Sequence, residues 1–165
     1  MLAASASEAL WFLPFVLPVA LWAAWSDMKF MKIPNKAVLA LGGVFAVVGL
    51  VALPLPDYGW RWVHLAVVLA ITFALTMVGL IGAGDAKFAA AMAPFIALGD
   101  LRLFLGVFAA SLLAAFAAHR LLRAIPAFRR ATPDWASWTS AKFPMGLALS
   151  GALLMHLVLV ALYGR

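Results

Sequence analysis

The chain has 165 residues, of which 67% are hydrophobic and only 11% charged, and its formal net charge is +6. At a mean hydropathy of +1.09 it carries more apolar surface than a water-soluble domain needs, and several runs exceed the roughly 18 residues that mark a membrane span. No cysteine is present, which excludes disulfides, thiolate metal sites and cysteine nucleophiles; the basic excess sits in short loops between apolar runs, where topology and anionic membrane lipid explain it without nucleic acid.

An all-α polytopic membrane protein with about six transmembrane helices is expected, in one domain over 1–165. Residues 1–8 lack the basic start of a secretory signal, so the first run, 9–25, is expected to stay as a helix despite Pro14 and Pro18. A polar connection, 26–36, follows; Pro34 interrupts it and Asn35 is expected to cap the next helix. Span two is predicted over 37–53, then a turn over 54–59, then span three over 62–81. Thr72 and Thr76 share a face there and are expected to bond back to their own helix.

Gly82-Ala83-Gly84-Asp85-Ala86-Lys87 then places a carboxylate between two apolar runs. A carboxylate near lipid loses hydration, so an ionisable residue at this depth is a functional candidate by default. The flanking glycines let the backbone bend and another group approach. Alone, such a motif also fits a polar turn between helices. Span four, 86–98, is short; Gly99-Asp100-Leu101-Arg102 turns into span five, 103–118. The basic, tryptophan-bearing segment 119–143 suits the headgroup level, and span six is predicted over 145–162.

With six spans, Lys29, Lys32, Lys36, Lys87 and the five basic residues between Arg120 and Lys142 fall on one side, nine of the twelve Lys and Arg residues. The positive-inside rule makes that side cytoplasmic and both termini extracytoplasmic. Asp27 and Asp85 then share the cytoplasmic face at similar depth, whereas Glu8, Asp57 and Asp100 belong to the other. Asp134 reads as a solvated loop charge. His64, His119 and His156 lack metal-ligand spacing, so neither a metal nor any other cofactor is expected. The seven tryptophans read as interfacial anchors.

Two carboxylates at one low-dielectric site tend to share a single proton. One can serve as base toward water while the other, protonated, polarises a peptide carbonyl. This chemistry needs no metal, cofactor or thiol.

Asp27 followed by Ile33-Pro34-Asn35, the Gly82–Lys87 motif, and Lys142-Phe143-Pro144-Met145-Gly146-Leu147-Ala148 together resemble the type IV prepilin peptidases, in the family's order. The short length resembles the form that serves tight-adherence (Flp-type) pilus systems. The resemblance implies a bacterial inner-membrane aspartic endopeptidase. Its substrate would be a prepilin or pseudopilin, cut at the cytoplasmic boundary after a leader-terminal glycine and ahead of the hydrophobic segment. It implies Asp27 and Asp85 as catalytic residues and Gly82 and Gly84 as positioning residues. Lys87, Pro34, Asn35, Lys29 and Lys32 are candidates for substrate binding or positioning, the lysines serving otherwise as topological charges. Long-form relatives also methylate the new amino terminus and carry a cysteine-bearing extension; without that extension or any cysteine, the chain is expected not to methylate. Competing readings are a small transporter or channel subunit, a non-enzymatic pilus or secretion assembly factor, and a presenilin-like peptidase of transmembrane helices.

Overall fold

The computed structural model describes residues 2–165, and the secondary structure of these residues is helical, without strands. Helix α1 (Ala6–Phe30) opens with the Ser5 hydroxyl accepting from the Glu8 N–H at 3.1 Å and runs through Pro14 and Pro18. It continues five residues beyond the predicted end at 25. Ser26, Asp27 and Met28 still face the interior, and only Met31, in the left-handed region at φ 54°, stops it by bonding its N–H to the Asp27 carbonyl at 2.8 Å. Asp27 therefore stands on the last turn of a rigid helix and not in a loop.

Helix α2 (Asn35–Ala52) corrects the expected cap. Pro34 occupies the cap position in an extended conformation, and Asn35 is already the first helical residue. Proline has no side-chain acceptor, so the helix starts without a side-chain cap and the Asn35 amide is available elsewhere. Helix α3 (Leu55–Met77) absorbs most of the predicted 54–59 turn, because Pro56 in its first turn lacks an N–H that the helix would leave unpaired anyway. Thr72 and Thr76 bond back to Val68 and Thr72 carbonyls at 2.7 and 2.8 Å, as expected.

The predicted fourth span is interrupted. Helix α4 (Ala83–Met92) has ten residues, about 15 Å at the α-helical rise, and two 3-10 turns follow, Ala93–Phe95 and Leu98–Asp100. Helix α5 (Leu101–Ala124), the short α6 (Pro126–Ala131), a 3-10 turn at Ala136–Trp138 and α7 (Met145–Tyr163) complete the chain. Five segments are long and apolar enough to cross a bilayer: Ala6–Phe30, Asn35–Ala52, Leu55–Met77, Leu98–Ala124 and Met145–Tyr163. Large apolar side chains such as Leu39, Val47, Val67 and Phe73 point outward from α2 and α3, which suits lipid and not water. The chain is an integral membrane protein.

Irregular backbone is tolerated at membrane depth only where protein encloses it. Here Phe88, Met92, Phe95 and Ile96 are all buried, and α3 satisfies the carbonyls that the break frees. Arg61 donates to the Pro94 carbonyl at 2.9 Å, and His64 Nδ1 lies 3.1 Å from that of Ile96. Arg61 also forms a buried ion pair with Glu8 of α1 at 2.7 Å. At the far end, Asp100 accepts from the Ala3 and Ala4 N–H groups at 2.7 and 2.9 Å. The segment from Ala83 to Asp100 thus travels the length of α1 in pieces.

The interior is built from a ring cluster and a small-residue seam. Phe45 of α2 stacks on Phe12 and Tyr58 and meets Phe95 and Trp62 edge-on, with centroids 5.2–5.9 Å apart. Helices α1 and α7 pack along each other, with Ala9, Ala20, Ala23, Ala148 and Ala152 fully buried; small residues let membrane helices approach closely.

Candidate active site

Asp27 is 5% exposed. Its Oδ2 accepts from the Gly146 N–H at 2.7 Å, across 119 residues of sequence. Gly146 is in the first turn of α7, whose cap, Pro144, offers no side-chain acceptor. The carboxylate of α1 therefore caps α7, supplying an acceptor to one of its unpaired N–H groups and a negative charge to its positive end. A Cβ on Gly146 would fall 2.9 Å from Asp27 Cβ and 3.0 Å from Oδ2. Only glycine leaves room for the bond.

Asp85 stands in the first turn of α4 and is placed by the same device. Its carboxyl folds back onto the backbone of Gly82, the cap residue, and a Cβ there would fall 2.8 Å from Oδ2. This is the local counterpart of the long-range cap made by Asp27. Asp85 lies outside the five spans; burial pushes its carboxyl above the ordinary carboxylate range, opposed by the Gly82 bond.

Ile33 joins the two acids' supports. A Cβ on Gly84 would sit 3.6 Å from Ile33 Cβ, and one on Gly146 would sit 3.0 Å from Ile33 Cδ1. The turn that carries Ile33 is closed by the Ser26 hydroxyl donating to the Lys32 carbonyl at 2.9 Å. Asp27 and Asp85 thus have supports that meet at one side chain, Ile33, with Asp27 capping the start of α7 from α1 and Asp85 standing in the first turn of α4. Gly146 and Ile33 were absent from the candidate site residues. The available signal was the Lys142–Ala148 motif, whose glycine sits where a helix must begin.

The sequence model of the type IV leader peptidase family matches residues 14–119, close to two thirds of the chain. The chain belongs to the type IV leader peptidase family. No curated protein and no solved structure matches it. The match contains Asp27, Asp85 and Lys87, while Gly146 lies beyond it and is tied to the site by geometry alone.

The other candidate residues of this leader peptidase separate into three groups. Lys87 Nζ is 3.3 Å from Asn35 Oδ1, so these two form one exposed contact between α4 and α2. Lys29 turns away from the acids: it lies 3.5 Å from Asp134 and over the Trp25 and Phe30 rings, each 5.4 Å from the centroid. Lys32 contributes its backbone carbonyl to the Ile33 turn and is itself exposed, and Pro34 sets the start of α2.

One expectation outside the acids changes. The segment 119–143 folds partly over α1, with Trp138 only 3% exposed, stacked between His119 and Trp135 and donating from Nε1 to the Thr132 carbonyl at 2.9 Å; this ring is internal packing and not a lipid anchor. Asp134 is paired with Lys29, though at 68% side-chain exposure the pair adds little stability.

Proposed function

We propose that this leader peptidase is an aspartic endopeptidase, with Asp27 and Asp85 as one proton-sharing pair. The supporting observation is that each carboxyl is held at a helix N-terminus, α7 and α4, by a glycine that a side chain would displace. Such placement fixes both acids before substrate arrives and leaves water as the nucleophile. In the reaction one carboxylate accepts a proton from water, and the oxygen forms a bond to the scissile carbonyl carbon. The partner carboxyl keeps its proton and hydrogen-bonds to the carbonyl oxygen, stabilising the negative charge that the oxygen gains as an alkoxide. Collapse of the tetrahedral species breaks the C–N bond, and the nitrogen leaves with the proton that water gave up. The products are a leader with a free carboxylate and a substrate with a new amino terminus. Which acid acts first belongs to the pair and not to either residue.

The family's substrates are pilin-like, and we extend this to leader removal from a prepilin or pseudopilin at the cytoplasmic face of the bacterial inner membrane. The chain would use the broken segment 86–98 as its sixth crossing, with Asp85 just outside it and both termini extracytoplasmic. Lys87 and Asn35 lie beside Asp85 and are the candidates for substrate contact; Lys29 and Lys32 are topological charges. With no cysteine in the chain, peptidase activity without methyl transfer is the reading we favour.

Leader removal on reconstitution with a tight-adherence prepilin tests the proposal. Asp27→Asn and Asp85→Asn each lose processing while inserting normally, and the double variant is hardly worse than either, because groups that act as a unit are non-additive. Asp57→Asn, at the start of α3 and away from the acids, processes normally. Near-normal cleavage by a well-inserted Asp85→Asn protein would remove the mechanism.

A further inference from the structure

A groove opens onto the outer surface between α2 and α3, with α4 as its floor. Gly42 and Gly43 form one wall, Leu65 and Leu69 the other, and Ala90 and Ala91 the base; the cavity is about 440 Å³. It exists because α2 and α3 each pack against α4 but touch one another little.

Two features separate it from an ordinary lipid-facing crease. Glycine inside a helix costs roughly 1 kcal/mol relative to alanine and is usually retained where another backbone comes close. A Cβ on Gly42 or Gly43 meets nothing within 4 Å, so no part of this chain uses the space. The second feature is the mouth. Lys87 is the one charged lining residue, two positions after Asp85 and in contact with Asn35, and it belongs to neither of the two ion pairs found among the described residues. From there the walls run inward about two helical turns, roughly 10 Å between residues 39 and 46. The lining below Lys87 is apolar and offers almost nothing to an unpaired peptide group, so it suits a segment that has already satisfied its own backbone: a helix.

We propose that this groove docks the opening turns of the apolar helix that follows the scissile bond in the substrate, with Lys87 at the point where the extended, cleavable stretch becomes helical. The inference rests on the leader-peptidase reading above and adds the surface by which a membrane-anchored substrate is held.

The test uses the full chain in proteoliposomes with two substrates. One is a tight-adherence prepilin with its apolar helix. The other is a soluble peptide containing the leader and a few residues beyond the cleavage point. Gly42→Leu and Gly43→Leu fill the open space; they are expected to raise KM for the anchored prepilin about tenfold or more while leaving kcat/KM for the soluble peptide unchanged. Gly106→Leu on α5, also with open space around it, leaves both unchanged. A second measurement is independent of catalysis. Because the chain has no cysteine, Gly43→Cys in the Asp27→Asn background can be cross-linked to single cysteines scanned through the prepilin helix. Cross-links recurring every three to four residues support docking. Unaltered cleavage of both substrates by Gly42→Leu, equal loss of both, or no cross-link along the helix overturns it. A phospholipid that co-purifies with the wild type and is lost in Gly42→Leu, with anchored cleavage intact, would assign the groove to lipid instead. If the wild type cleaves neither substrate, the peptidase reading fails, and the cross-linking still decides the groove.

Discussion

Replacing Gly146 with alanine is the smallest change that separates Asp27 from its donor. The added methyl would stand 2.9 Å from Asp27 Cβ and 3.0 Å from Ile33 Cδ1, whereas ordinary contacts begin at about 3.4 Å, so something must yield by about half an ångström. The carboxylate is on one side and the turn that packs against Gly84 on the other; either movement disturbs the acid pair. A misplacement of about 1 Å costs on the order of 100-fold in rate, so half that distance corresponds to about tenfold. Weakening the 2.7 Å bond to the Gly146 N–H adds to this, since a hydrogen bond to a charged group contributes about 1.5–3 kcal/mol. The expected loss in kcat/KM is about 10- to 100-fold, equivalent to roughly 1.4–2.8 kcal/mol. Initial rates of leader removal by detergent-solubilised protein give the value, with Gly151→Ala as control on the same helix, where a Cβ meets nothing within 4 Å. If Gly146→Ala cleaves within twofold of wild type while Gly151→Ala does the same, Asp27 is not positioned by α7 and the site as described is wrong.

Arg61→Met leaves Glu8 buried without its partner and is expected to cost about 3–5 kcal/mol, seen as a fall in thermal unfolding temperature; adding Glu8→Leu restores part of it. The pH–rate profile of leader removal is expected to be bell-shaped, lost at low pH when both acids are protonated and at high pH when both are ionised. Since burial raises the Asp85 carboxyl, the alkaline limb lies above the ordinary carboxylate range; a profile flat through that limb speaks against a shared proton. Single cysteines at Lys36, Lys87 and Arg129 are expected to react with thiol reagents from the cytoplasmic side only, and a periplasmic signal at Lys87 contradicts the proposed topology.

Hydropathy made most spans legible, because an apolar run long enough to cross a bilayer would be costly to expose to water and is longer than most soluble cores can bury. Asp27 and Asp85 stood out as candidates through their flanking motifs, and the structure puts each carboxyl at a helix start. The helix ends were less legible. Window averages do not see that Met28 is buried on the last turn of α1, which keeps Asp27 helical, nor that Pro34 pre-empts Asn35 as the cap. Long-range polar pairs leave no periodic trace: Asp27 with Gly146, Arg61 with Glu8 and Pro94, and Asp100 with the amides of Ala3 and Ala4 each join distant parts of the chain. Asp100, placed with Glu8 and Asp57 on the opposite face, is 2% exposed and structural. Trp138 looked like its interfacial siblings because composition cannot distinguish a ring facing lipid from one stacked on a histidine.

The break in the fourth segment bears on how the protein enters a membrane. A ten-residue helix followed by 3-10 turns cannot partition into lipid by itself, since its freed carbonyls would have no donors there. Those donors, Arg61 and His64, are on α3, which the ribosome makes first. With this segment as the sixth crossing proposed above, α3 and α4 are expected to be released into the bilayer as a pair, the earlier helix carrying the later one. On that reading, an arginine that looks out of place in an apolar span is what makes its neighbour insertable.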